Sequence, residues 1–200
     1  MSEGGTNMDK LMRLARLSLL AEAAGGQVEG RTRIHRLAYL GQRAGTDLDQ
    51  VFSFQMYGIY SPSLLHDVAA AAAWGHLQET VDLSAGTYDI TLEPKGRRHQ
   101  REAGAPNEAG FVLARALAHE SPPTLDVLTT IAYLWDAGYR DQKLRRKLRD
   151  LKGNLAAQFG QAFELAQRHT LTAPMGANPL NTVLRACPGR KDTHHAQYRS

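Results

Sequence analysis

The chain has 200 residues, of which 42% are hydrophobic and 22% charged, with a net charge of +4. That is enough apolar material for a real core in one large domain or two small ones, and a mildly basic balance that permits nucleic-acid or acidic-protein partners without demanding them. The single Cys187 excludes an internal disulfide and a cysteine zinc site, and it fits a reducing compartment.

Residues 1–7, MSEGGTN, are short and polar and are expected to be disordered. Residues 8–23 carry Lys10, Arg13, Arg16 and Glu22, too charged and too short a run to span a bilayer. No uninterrupted apolar core or cleavage signature marks a signal peptide, so cytoplasmic residence is the default expectation. The stretch reads as a first helix with Met8, Leu11, Met12, Ala15, Leu19 and Ala23 turned inward, broken by Gly25-Gly26. A second helix opens at Gly30-Arg31-Thr32, with Thr32 as candidate N-cap, and runs to Gly45. Ile34, Leu37, Ala38 and Leu40 form its apolar stripe. Arg31, Arg33, Arg36 and Arg43 lie mostly off that stripe, as a solvated cationic face or a phosphate-contacting one.

Phe52, Phe54 and Met56 alternate, which reads as a short extended segment with one buried face. Gly58 permits a backbone turn, Ser61 is a good N-cap, and Pro62 suits a first helical turn. The third helix is expected over residues 63–74, with Leu64, Leu65, Val68, Ala72 and Trp74 toward the core. Residues 77–83 and 87–92 then alternate as a hairpin around Ser84-Ala85-Gly86, with Val81, Leu83, Tyr88, Ile90 and Leu92 on its half-buried face. Helix, helix, helix, hairpin is the winged-helix order.

Residues 102–107, EAGAPN, read as a loop, and beyond them the chain is helical. Phe111, Leu113, Ala114, Leu117 and Ala118 fit a short amphipathic helix. Ser121 or Thr124 starts the next, over residues 125–137, striped by Leu125, Leu128, Ile131, Ala132 and Trp135. Leu144, Leu148 and Leu151 edge another over 141–151. Leu155, Phe159, Ala162, Phe163 and Ala166 mark a long last one ending near His169. The aromatic residues of this region need a partner surface, so it is expected to pack on the winged helix. The fold class is therefore mainly α with a small β-hairpin. Residues 1–104 form a winged helix-turn-helix domain, 105–169 a helical extension packed on it, and 170–200 a loop-rich tail.

Several motifs resemble the YwgA-like winged-helix family of largely uncharacterised prokaryotic proteins. They are GRTRIHRLAYL, the YGIYSPSLLHDV turn and helix, the WGHL helix end, and YDITLEPKGRR. Antitoxin-like helical domains with a Tyr-Gly-Pro turn are similar more distantly. Ile59 stands where the family usually has proline, and His35-Arg36 where Gln-Lys is usual. The resemblance covers about residues 8–168. It implies the fold and a regulatory role, and it carries no agreed catalytic residues.

The strongest electrostatic feature is RDQKLRRKLRDLK, residues 140–152, with seven basic and two acidic residues. The rest of the chain sums to −1, so the positive charge is concentrated there. Lys143, Arg146 and Lys147 share one helical face, and Arg145 joins the cluster, as a solvated face or an anion-binding ridge. Lys95, Arg97, Arg98 and Arg101 form a second cluster beside the hairpin. The third helix, LLHDVAAAAAW, has no Arg, Lys, Asn or Gln to discriminate bases. Tyr57 and Tyr60 near a helix N-terminus are candidates for holding an anion or small ligand, or for filling a corner between helices. No phosphate loop, nucleophile elbow or zincin motif is present, Asp126, Asp136 and Asp141 read as capping acids, and His194-His195 reads as incidental. The expectation is a cytoplasmic protein that is not an enzyme and has no cofactor or metal. It is a winged-helix regulatory or accessory protein binding nucleic acid mainly through phosphates, at Arg31, Arg33, Arg36, the Lys95 to Arg101 cluster, Lys143, Arg145, Arg146 and Lys147. The alternative is a protein-interaction subunit of a prokaryotic defence or toxin–antitoxin-like system with an acidic protein partner. Homodimerisation is compatible with either.

Overall fold

Leu14, Leu17 and Leu20, spaced three apart, mark the face that the first helix turns to the core. The computed structural model describes residues 3–82, 84, 86–92 and 109–172. Helix α1 (Glu3–Ala23) starts within the polar stretch expected to be disordered. Its buried apolar residues are Leu14, Leu17, Leu19, Leu20, Ala21 and Ala23, whereas Leu11 and Met12 are exposed. The segment holds two overlapping apolar phases, and packing selects the one centred on Leu17 and Leu20. That choice turns Arg13 toward Asp49 and Asp67 and Arg16 toward Asp47.

Strand β1 (Gln27–Glu29) follows, too short to announce itself by alternation. Helix α2 (Arg31–Arg43) is capped at Gly30 with no side-chain hydrogen bond, so Thr32 lies inside the first turn and is not the cap. Ten consecutive residues of α2, from Ile34 onward, are buried. A helix buried on every side needs a neighbour on every side.

The expected single extended segment is a tight hairpin, β2 (Ser53–Gln55) paired antiparallel with β3 (Gly58–Tyr60). The chain reverses at Met56-Tyr57. Phe52 is therefore buried and Phe54 stacks on Tyr133 with centroids 5.0 Å apart, while Met56 is left in solvent. Helix α3 (Pro62–Ala73) begins as its sequence predicts. Ser61 Oγ accepts a hydrogen bond from Leu64 N at 3.2 Å, and Pro62 occupies the first turn. Leu64, Val68 and Ala71 face the core. Trp74 instead lies at the surface with the Lys10 ammonium 5.4 Å from its ring. Strands β4 (Leu77–Asp82) and β5 (Thr87–Leu92) pair in register from Leu77↔Leu92 to Asp82↔Thr87. Strand β1 adds to β5, giving a three-stranded antiparallel sheet of order β1-β5-β4. Val28, Leu77 and Ile90 bury its inner face; Val81 and Tyr88 reach beyond the core and are exposed.

Helix α4 (Ala109–Leu117) packs on α1 and α2. A Cβ on Gly110 would run into Gly41 O and Thr46 Oγ1, so α2 and α4 meet backbone to backbone. Helix α5 (Pro122–Asp136), capped by Ser121, packs against α2, β3 and the two helices that follow it. These are α6 (Asp141–Lys152) and α7 (Phe159–Arg168), joined by a 3-10 segment (Gly153–Gln158). The long last helix expected from residue 155 is thus interrupted, with Leu155 at φ −108°, ψ 22°. Leu125, Leu128, Ile131 and Ala132 of α5 belong to the same cluster as Leu37 and Leu40 of α2, so one core runs through both halves of the chain. The basic residues Lys95, Arg97, Arg98 and Arg101, the loop at 102–107, Leu83, Ala85, Cys187, His194 and His195 lie outside the described residues.

Tyr39 of α2 is buried against the edge of Phe52 and donates a hydrogen bond to Asp136 Oδ2 at 3.2 Å. Burial first, and then the Asp136 charge, push its phenol well above its ordinary value. A raised folded value leaves stability intact below the unfolded value near 10 and removes it as pH rises past that point. Urea unfolding across this range should show the wild type losing about 1.4 kcal/mol more per pH unit than Tyr39→Phe. Parallel profiles for the two proteins would contradict this assignment.

Candidate functional site

Because α2 is enclosed, its arginines point at other elements. Arg43 holds Asp136 through Nε and Nη2, with three contacts of 2.9–3.1 Å. Arg36 donates from Nη1 to Pro122 O at 2.9 Å, and its Nη2 lies 3.3 Å from Asp126 Oδ1. Burial lowers the Arg36 pKa, and Asp126 opposes that shift. Arg33 donates to the carbonyls of Ala118 and Glu120 at the end of α4, at 2.7 and 2.9 Å. Arg31 forks onto Glu79 at 2.6 and 2.8 Å while its guanidinium lies 4.0 Å from the Tyr88 ring centroid. The Glu79 hydrogen bond raises its pKa. The expected cationic face of α2 is therefore corrected. Arg36 and Arg43 are buried, Arg33 caps a neighbouring helix, and Arg31 is spoken for by Glu79. The physical cause is that a buried guanidinium must be paired.

The third member of this inner network was not expected. Lys152, the last residue of α6, is buried and donates to Asp126 Oδ2 at 2.7 Å. The buried positions of α6 are Leu144, Leu148 and Lys152, so the apolar edge predicted to end at Leu151 ends on a lysine instead. Asp126 and Asp136, expected as helix-capping acids, are the counter-ions of the inner network. Part of their signal was present in the sequence: each is an acid on a strongly apolar helical segment, Asp126 near its start and Asp136 at its end. Gly58 of the β2–β3 hairpin sits directly over Asp126. At φ 105°, a Cβ there would be 2.8 Å from Asp126 Oδ1. The hairpin thus rests on a buried Arg36–Asp126–Lys152 cluster.

The other cations of α6 face outward. Arg140, Lys143, Arg145, Arg146 and Arg149 are exposed and Lys147 is half-buried. Among the described residues, Lys143, Arg146, Lys147 and Arg149 make no ion pair with another element. Arg140 stacks 3.8 Å from the Trp135 centroid and Arg145 lies 4.3 Å from that of Phe163. Those rings hold the two guanidinium groups in place without neutralising them. Asp141 and Asp150 are the acids on this helix. The result is a ridge with a net charge of four.

A cleft of about 640 Å³ opens between the first turn of α2, the β2–β3 hairpin and the start of α3. Arg31, Thr32 and His35 line one side, Tyr57 to Tyr60 and Gln55 another, and Pro62 and Leu65 the third. His35 stacks on Tyr60 with centroids 5.0 Å apart, and its two ring nitrogens lie 2.7 Å from Arg31 O and 3.1 Å from Ser61 O. Tyr57 is 83% exposed at the mouth. Of the two candidate tyrosines, then, one packs in the wall and one stands free. No group of three or more His, Cys, Asp or Glu residues able to hold a metal occurs among the described residues. Nor is any helix there long and apolar enough to cross a membrane. No protein-family model matches the chain, and no curated protein matches it either.

The inner network makes an asymmetric prediction. Asp126→Ala leaves Arg36 and Lys152 as uncompensated buried cations and should cost about 3–5 kcal/mol. Lys152→Met keeps the Arg36–Asp126 pair and supplies an apolar side chain of similar length, so it should cost about 2 kcal/mol or less. Equal losses in chemical unfolding would contradict the arrangement.

Proposed function

We propose that the protein is a winged-helix regulatory or accessory protein that binds nucleic acid through its phosphates, with the α6 ridge as the principal contact. Support for the fold comes from the order α1-β1-α2-β2-β3-α3-β4-β5, a winged-helix order with a small hairpin inserted between α2 and α3, and from β1 pairing with the second strand of the β4–β5 hairpin. The observation that carries the functional reading is the α6 ridge, whose cations are mostly exposed and, among the described residues, form no ion pair with another element, while those of α2 are paired within the fold. Guanidinium and ammonium groups along one helix attract a phosphate backbone, and that attraction is long-range and sequence-independent. Helix α3 supports a reading without base recognition. Its one acid, Asp67, is buried against Arg13 and Gln50, and its exposed residues are Pro62, Ser63, His66, Ala69 and Ala73, none of them Arg, Lys, Asn or Gln. That same bland face favours the second reading, a protein-interaction subunit of a prokaryotic defence or toxin–antitoxin-like system, in which the ridge meets an acidic protein.

Fluorescence anisotropy with labelled duplex, single-stranded DNA and RNA at two salt concentrations separates these readings. Wild type should bind with a steep salt dependence. Lys143→Glu/Arg146→Glu/Lys147→Glu leaves Leu144 and Leu148 in place, so it should keep its helical circular dichroism. It should weaken binding at least tenfold, and the log–log salt slope should fall by about 0.9 for each duplex phosphate contact removed. Unchanged affinity in the variant would move the contact off α6. No binding to any of the three at low salt would overturn the nucleic-acid reading.

A further inference from the structure

The cleft beside the hairpin is separate from the α6 ridge and plays no part in the phosphate reading. Its volume, about 640 Å³, is that of a small-molecule site. Ile59, Pro62 and Leu65 give it apolar walls, and the Tyr60 ring, stacked on His35, gives it an aromatic one. Tyr57 also lines the cleft and is largely exposed.

The charge around the cleft has a definite sign. Arg31 is neutralised by Glu79, and behind Gly58 the Arg36–Asp126–Lys152 cluster holds two cations against one anion. Lys152 Nζ is 3.8 Å from where a Gly58 Cβ would sit. The carboxylate is nearer to the cleft than the ammonium, but it is already shared between two cations. A surplus positive charge therefore lies behind the cleft floor, in a region of low dielectric where it is poorly screened. Helix α2 also points its N-terminal end here, with no side chain capping it and with Thr32 exposed in its first turn.

We propose that this cleft binds a small aromatic anion, a flat ring system joined to one acidic group, with the ring against Tyr60 and Leu65 and the acidic group toward Thr32 and the first turn of α2. The shared chemistry fits an aromatic carboxylate or a nucleotide, and the test distinguishes them. The probes are 1-naphthoate with its neutral counterpart 1-naphthalenemethanol, and adenosine 5′-monophosphate with adenosine. Each is titrated into the full chain and followed by amide chemical shifts. The acid of at least one pair should bind about tenfold tighter than its neutral partner, with shifts centred on Thr32, Gly58 and Tyr60. Whichever acid wins names the class. Thr32→Glu places a carboxylate in the first turn of α2, where it favours the helix, so the fold is retained. It should weaken the acid at least fivefold and leave the neutral partner unchanged. Leu65→Trp fills the cleft and should abolish both. The α6 triple variant should bind the acid as wild type does, whatever its effect on nucleic acid. Equal binding of acid and neutral probe, indifference to Thr32→Glu, shifts centred elsewhere, or no binding at millimolar probe would each overturn the proposal.

Discussion

The enclosure of α2 is the constraint from which the rest of the structure follows. A helix that carries four arginines and is buried over most of its length must find a counter-charge or carbonyl for each one that leaves water. It finds them in α5 and its approach: Asp126 for Arg36, Asp136 for Arg43, and the carbonyls of Ala118 and Glu120 for Arg33. Buried ion pairs add little net stability over a well-packed apolar contact, but losing one partner is costly. Their effect is to fix how α5 docks on α2. Backbone contact between Gly41 and Gly110 fixes α4 in the same way. The C-terminal helices are in this sense part of the N-terminal unit's interior.

This use of charge changes the functional reckoning. Counted along the sequence, basic residues in α2 and α6 look equivalent. In the structure those of α2 are paired to other elements, with Arg36 and Arg43 buried, and Lys152 has joined the buried set, whereas the remaining cations of α6 stand on the outside of a helix anchored by Leu144 and Leu148. The same inner cluster also supports the β2–β3 hairpin, because Gly58 lies against Asp126 with no room for a side chain. One buried network thereby anchors both the end of the helix that carries the outer basic ridge and the hairpin that lines the cleft.

Much of the architecture was legible because it is written in local chemistry. Ser61-Pro62 and Ser121-Pro122 start helices, and the alternation across residues 77–92 makes a hairpin. The stripe of Leu125, Leu128 and Ile131 makes a core helix. What was not legible depends on contacts distant in sequence. Strand β1 exists because β5 offers it an edge. The phase of α1 is chosen by its neighbours between two that the sequence allows equally. Arg36 and Arg43 read as surface residues because helical periodicity marks an apolar face but cannot report that the opposite face is also covered. The candidate site was legible in part for the same reason. Among the described residues the outer α6 cations form no ion pair with another element, so counting charge along the chain located them. The cleft is assembled from three separated segments, of which only Tyr57 and Tyr60 stood out.

A double-mutant cycle on Arg43 and Asp136 tests the central claim most directly. Unfolding free energies of the wild type, Arg43→Ala, Asp136→Ala and the double variant give the coupling between the two side chains without reference to any partner or ligand. A buried, bidentate pair fastening α2 to α5 predicts a coupling of about 2 kcal/mol. A coupling below about 0.5 kcal/mol, as solvent-exposed pairs give, would contradict it and return the α2 arginines to the surface.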